Sequence, residues 1–170
     1  EARLCNRRFV TVRDSVLRTH TWNVAVTRAT LARDTNPPSF GFTHQYSLPT
    51  DPYCLRVLSF WNSNVNNDVA AYDSNVMFKI EGRKVLSNEG ACSIIYISRV
   101  TDTEQYDSLL SSTIAHKLAS ETAYAITGSN ALAQSMYGLY QARLSEARSM
   151  DALEGYPEQL QADTYTNARF

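Results

Sequence analysis

The sequence is poor in lysine and cysteine, nearly free of net charge, and without a long apolar run. Lys79, Lys84 and Lys117 are its only lysines, and 16 basic residues against 17 acidic ones leave a formal charge of -1. That balance excludes the basic footprint of a chain whose main partner is nucleic acid or an anionic membrane, so charge can act only locally. No stretch approaches the about 18 apolar residues of a spanning helix, and no charged-then-apolar leader opens the chain. Cys5, Cys54 and Cys92 are far apart, form no C-x-x-C pair and have no neighbouring histidine. They complete no zinc site and fit synthesis in a reducing compartment, so the expected product is soluble and made in the cytosol.

Chemical motifs are missing as well. No GxGxxG, P-loop, HExxH or GxSxG pattern occurs. His116 lies between Ser112 and Ser120 at four-residue steps, which puts imidazole and hydroxyls on one helix face. No carboxylate stands at helical spacing from it, Glu121 being five residues away, and no oxyanion loop follows, so His116 reads as a solvated or interface histidine. Asp68 and Asp73 lack the D-x-[DN]-x-[DN]-G spacing of a calcium loop and read as loop solvation. Nothing supports a pair of acids for glycoside cleavage. No catalytic residue, cofactor or metal is expected.

What is present suffices for one α+β domain. A chain of 170 residues buries roughly 70% of its unfolded surface and needs no staple. Cys5, Phe9, Val12 and Val16 recur at helical spacing over residues 2–20, with Arg3, Arg7, Arg8, Arg13 and Arg18 on the other faces: an amphipathic helix with a basic exterior. The helix carries only one aromatic, Phe9, and includes Asp14, so a protein partner or a second copy suits it better than nucleic acid. Trp22, Val24 and Val26 then alternate as a strand would, and Asn36-Pro37-Pro38 breaks the chain. Alternation returns at Phe40, Phe42, His44, Tyr46 and Leu48, and residues 53–60 are rich in β-preferring types; the two segments read as neighbours in one antiparallel meander. Residues 62–75 form a polar, asparagine-rich surface excursion. Residues 76–86 read as a tight hairpin with Gly82 at a positive φ, and residues 93–98, apolar on both faces, as a central strand.

After Val100 the pattern turns helical. Asp102 or Asp107 can cap a helix over 107–127 whose stripe is Leu110, Ile114, Leu118 and Thr122, with Ala115, Ala119 and Ala123 as a small-residue seam. Gly128 and Ser129 end it and start a second helix over 130–153, giving a helical hairpin. The expected architecture is therefore a helical bundle, one N-terminal helix plus a C-terminal hairpin, with an inserted antiparallel sheet of about five or six strands over 22–100. Residues 1–155 make the domain and residues 156–170 an extended arm, in which Tyr156, Leu160, Tyr165 and Phe170 are spaced anchors for a partner. The first residue is Glu1 rather than Met and the opening is already helical, so the expectation is that an upstream segment has been removed or left out.

The order of motifs points further. The first helix closes on Arg13-Asp14-Ser15-Val16-Leu17-Arg18-Thr19-His20-Thr21-Trp22-Asn23-Val24-Ala25. Tyr46-Ser47-Leu48-Pro49-Thr50-Asp51, Leu55-Arg56-Val57-Leu58 and Ile80-Glu81-Gly82-Arg83-Lys84-Val85-Leu86 follow. Tyr96-Ile97-Ser98-Arg99-Val100-Thr101-Asp102, the helix through Ala115 to Ala125, and Leu144-Ser145-Glu146-Ala147-Arg148-Ser149-Met150-Asp151-Ala152 complete the series. In this order the chain, from about Arg8 to Gly155, resembles the head-to-tail adaptors of short-tailed bacteriophages, the tail tubular protein A family.

Members of that family usually carry a further helical segment before the point where this chain begins. The resemblance implies a structural virion protein without enzymatic activity, at the head-tail junction of a virion assembled in the host cytoplasm. Its copies, typically twelve, form a ring between the portal protein and the tail nozzle of tail tubular protein B, with tail fibres near by and double-stranded DNA passing non-specifically through the bore. No membrane is involved. It carries over no catalytic residue, and Trp22, Gly82 and Asp102 read as fold positions. Within this reading, ring contacts are expected between a basic surface at Arg3, Arg7 and Arg8 and an acidic one at Glu146, Asp151 and Glu154. The C-terminal arm is expected on the portal or a neighbouring subunit, and Asn64, Asn66 and Asn67 toward the distal tail. Two readings from other classes stand beside it, a carbohydrate-binding or cell-wall-degrading tail component and a monomeric effector or scaffold with no virion role.

Overall fold

The computed structural model describes residues 1–61 and 77–154. Over these residues the protein is α+β, with α1 (Ala2–Thr19), β1 (Val26–Leu31), β2 (His44–Ser47), β3 (Cys54–Trp61), β4 (Phe78–Glu81), β5 (Lys84–Ser87), β6 (Cys92–Ser98), α2 (Ser108–Thr127) and α3 (Asn130–Leu153). The expected excursion at 62–75 and the arm from 156 onward lie outside the described residues.

The helix ends follow their capping chemistry. Asp107 accepts from the Leu110 N–H at 2.6 Å and starts α2. Gly128, at φ 68, stops it in the left-handed conformation that favours glycine, and Ser129 accepts from the Leu132 N–H at 3.2 Å to start α3. Asp102 caps a separate 3-10 turn at Thr103–Gln105, so each of the two candidate aspartates caps its own element. The buried stripe of α2 differs in part from the expected one. Leu110, Ile114, Thr122 and Ala123 are buried and Leu118 is half-buried, but Ala115 is exposed.

The strands form two sheets instead of one meander. In the first, β6 is central between β1 and β3; in the second, β5 lies between β2 and β4, and all pairs are antiparallel. Although β2 and β3 are neighbours in sequence, the turn at 49–52 carries the chain from the second sheet to the first. The first sheet is covered on both faces at its central strand β6, while Val26, Arg28 and Thr30 of β1 are exposed. On one side Ile97, Ala25 and Val100 meet the helices through Val16, Leu17, Ile114 and Leu144. On the other Cys54, Phe60, Ile94 and Tyr96 meet Tyr46, Leu48 and Val85 of the second sheet region. The order is therefore helices, first sheet, second sheet.

Double burial shapes β3. Register slips against β6 occur between Cys54 and Arg56 and again between Val57 and Ser59, so two bulges each add one residue. The side chains packed toward the second sheet are consequently Cys54, Val57 and Phe60, three residues apart, while Leu55 and Leu58 pack toward the helices. Phe60 stacks on Phe78 at 5.6 Å between ring centroids, joining β3 to β4.

Two expected strands are shorter or displaced. The segment at 22–27 begins as a 3-10 turn, Asn23–Ala25, and β1 starts only at Val26. The reason is Trp22. Its indole Nε1 donates to the Val16 carbonyl at 3.0 Å, and its own carbonyl takes the N–H groups of Ala25 and Val26 at 2.9 and 3.1 Å, so this backbone is committed before a ladder can form. The alternation from Phe40 does not extend β2 backward, because Gly41 at φ 87 turns the chain and leaves Phe40 87% exposed. The hairpin at 78–87 forms as expected, with Gly82 at φ 59 in a two-residue turn between Glu81 and Lys84.

Burial also sets a pH dependence. Cys92 lies in the core between the sheets, and desolvation pushes its thiol up to about 12; Cys54 is raised by the same cause. An unfolded thiol ionises near about 8.5, so stability is complete below that pH and falls as pH rises toward the folded value, by up to roughly 1.4 kcal/mol per pH unit for Cys92. Urea unfolding at pH 8 and pH 10 should show this fall, and Cys92→Ala should flatten it. A thiol reagent at neutral pH should modify half-buried Cys5 in the folded protein and reach Cys54 and Cys92 only on unfolding.

Candidate functional site

The candidate surfaces belong to the helical layer. α1 and α3 end side by side, held by a clasp around Asp151. The Asp151 carboxylate accepts from the Asn23 backbone N–H at 3.0 Å and contacts His20 Nε2 at 3.1 Å, and its carbonyl accepts from Asn23 Nδ2 at 2.8 Å. Arg148 adds a bond from Nη2 to the Thr19 carbonyl at 3.1 Å. Asp151 was expected on a surface facing a neighbouring copy. Within the subunit each of its carboxylate oxygens takes one of these contacts, and 11% of the side chain is exposed.

The remaining charged candidates are exposed and well separated. Arg3, Arg7 and Arg8 lie at the free end of α1 and make no ion pair or hydrogen bond among the described residues. Glu154 is exposed at the clasped end, next to the C-terminus of α3. Glu146, two turns earlier, pairs with Arg143 at 2.7 Å across the exposed face of the same helix. Along α1, Arg3 lies about 24 Å and Arg8 about 17 Å from the clasped end of the helix. Tyr156, Leu160, Tyr165, Phe170, Asn64, Asn66 and Asn67 lie outside the described residues.

A further surface was not anticipated. The buried residues of α3, Tyr140, Leu144 and Ala147, lie from its middle onward, and the core contacts of α2 are mainly in its first half. The far half of the hairpin projects beyond that core. There Tyr124, Ile126, Leu132, Tyr137 and Leu139 are 38–58% exposed. Tyr137 is already oriented, with its hydroxyl accepting from Gln141 Nε2 at 2.8 Å and Lys117 Nζ 5.5 Å from the ring centroid. The sequence signal was available in part: Tyr124 falls off the 110-114-118-122 stripe, and Ile126 continues that stripe beyond its last buried member.

The polar candidates are engaged with the backbone. His116 Nδ1 donates to the Ser112 carbonyl at 2.7 Å, and the Ser120 hydroxyl donates to the Lys117 carbonyl at 2.8 Å. Among the described residues no three His, Cys, Asp or Glu side chains come together as metal ligands, and no helix is long and apolar enough to cross a membrane. Compared with known proteins, the chain matches no family model, and a search of curated proteins finds no significant match.

The clasp and the exposed pair make opposite predictions. Asp151→Ala removes the carboxylate partner of the exposed Asn23 N–H and of half-buried His20, and should cost about 0.5–1.5 kcal/mol in urea unfolding. Glu146→Ala removes an exposed ion pair and should stay within about 0.5 kcal/mol.

Proposed function

We propose that this protein is a structural subunit of a phage head-to-tail adaptor, a ring-forming virion component between portal and tail nozzle through whose bore DNA passes. In this reading it acts by assembly and carries no catalytic group. The ordered motif series from Arg13 to Ala152 supports the family, and the arrangement of helices around a sheet region is compatible with it.

The observation that carries the assembly part is the far half of the α2–α3 hairpin. Exposed apolar side chains gathered on a projecting element mark a contact surface, since each would otherwise keep water ordered on a monomer at no benefit to the core. A closed ring also needs two different complementary surfaces on every copy. The free end of α1 exposes Arg3, Arg7 and Arg8, and the last part of α3 exposes Glu154 and the Arg143-paired Glu146, which are groups of opposite charge.

Mass measurement of the purified protein, alone and mixed with the portal protein of the same phage, tests the proposal. A large closed oligomer, or co-migration with the portal ring, is the expected result. A monomer under both conditions that cleaves polysaccharide or peptidoglycan would overturn it in favour of a hydrolytic tail component. Tyr124→Ser with Leu132→Ser should lower assembly at least tenfold while moving the melting temperature little, because neither side chain is buried in the subunit. Arg7→Glu with Arg8→Glu should make assembly weaker and less sensitive to salt.

A further inference from the structure

Between the end of α1, the start of β3, the β4–β5 turn and the residue following β6 lies a half-open cleft of about 380 Å³. Four of its lining residues are arginines, Arg18, Arg56, Arg83 and Arg99, and none is a carboxylate. The one acid in contact with this group is Asp14, which binds Arg99 at 2.6 Å and Arg13 at 2.9 Å. One negative charge thus faces five guanidinium groups. Arg18 and Arg56 make no ion pair or hydrogen bond among the described residues. Arg83 bonds only to neutral carbonyls, those of Cys54 at 3.2 Å and Pro49 at 2.6 Å, which fix its position and leave its charge uncompensated.

The cleft is also ordered in advance. The guanidinium carbons of Arg83 and Arg99 lie 3.9 and 4.2 Å from the centroid of the same Tyr53 ring. Asp14 offsets the charge of Arg99, but the second guanidinium on the ring, that of Arg83, has no carboxylate partner among the described residues. The Nε atoms of Arg56 and Arg99 are buried without a hydrogen-bond partner, although a buried unpaired donor is normally costly. The first β3 bulge falls between Cys54 and Arg56, where an extra residue re-aims the side chain beside it. Burial raises the Cys54 thiol, and the nearby charges of Arg83 and Arg18 pull in the opposite direction, which places both within electrostatic reach of one point.

We infer that this cleft binds a phosphate group. Arginines from four different elements approach from several directions, which suits a tetrahedral oxyanion with three or more acceptor oxygens; a planar carboxylate offers two. The half-enclosed shape suits a free phosphate or a small phosphate ester more than a continuous duplex, and low overall charge leaves the rest of the surface without a track for DNA. The inference is independent of ring formation.

Titration of the full chain with sodium phosphate by calorimetry and thermal melting, against sodium chloride at equal ionic strength, tests it. One saturable site per chain and a phosphate-specific rise in melting temperature are expected. Arg18→Gln and Arg56→Gln should each weaken binding about tenfold or more, and the exposed Arg18→Gln should leave the ligand-free melting temperature unchanged. A small phosphate ester should compete, and acetate should not. No phosphate effect beyond that of chloride would overturn the site. So would saturable binding that survives both substitutions, or binding seen only with duplex DNA.

Discussion

The central strand β6 of the first sheet is covered on both faces, and most of the fold follows from that constraint. A three-stranded sheet between helices and a second sheet needs a central strand that is apolar on both sides, which β6 supplies through Cys92, Ile94 and Tyr96 on one face and Ile97 on the other. Its neighbours must then serve two cores with strands of ordinary length. β3 does so with two bulges, which let Leu55 and Leu58 pack toward the helices while Cys54, Val57 and Phe60 pack toward the second sheet. The bulges bend the strand and twist it more strongly, and the first of them lies where Arg56 and Tyr53 enter the arginine cleft. The packing solution and the cleft thus share one backbone irregularity.

Charge in the interior is handled by two aspartates with different tasks. Asp14 bridges Arg13, only 6% exposed, and Arg99, tying α1 to the chain just after β6. Removing this carboxylate would leave the buried Arg13 guanidinium without its partner in a poorly solvated place, which is destabilising, while the more exposed Arg99 would turn to water. Asp151 works through hydrogen bonds, gathering His20 and Asn23 at the point where the chain leaves α1 and closing the bundle on α3. On the outside, Asp34 accepts from Lys84 at 2.7 Å, and that contact holds its carboxyl below the ordinary range.

Local chemistry made much of this legible in the sequence. The caps at Asp107 and Ser129, the stop at Gly128 and the turn at Gly82 act within a few residues, so their types announce them. The centrality of β6 was visible because two apolar faces leave no alternation to read. Three features were not legible. The division into two sheets depends on which strands pair across the chain; the bulged β3 shows a three-residue spacing that matches no strand period; and Trp22 converts an alternating segment into a turn through a bond to Val16. The cleft was hidden for the same reason as the sheets. Arg18, Arg56, Arg83 and Arg99 are far apart in sequence, each is unremarkable alone, and only the fold gathers them.

The distribution of order across the molecule separates its possible tasks. The lower bundle, the clasp and the first sheet are cross-linked by buried contacts and ion pairs, so they suit a fixed frame. The far half of the hairpin is held mainly by two helices on each other, with apolar side chains still facing water. A contact made there places little demand on the frame, because no core residue of the subunit has to move to accommodate a partner. The arginine cleft sits at the opposite kind of place, where α1, β3, the β4–β5 turn and the chain after β6 all converge. An anion seated in it would neutralise repulsion among groups from every layer at once, so it would stiffen the frame without touching the hairpin. Under the two proposals, assembly through the projecting helices and stabilisation through the cleft would therefore vary independently, one responding to the partner and the other to the anion.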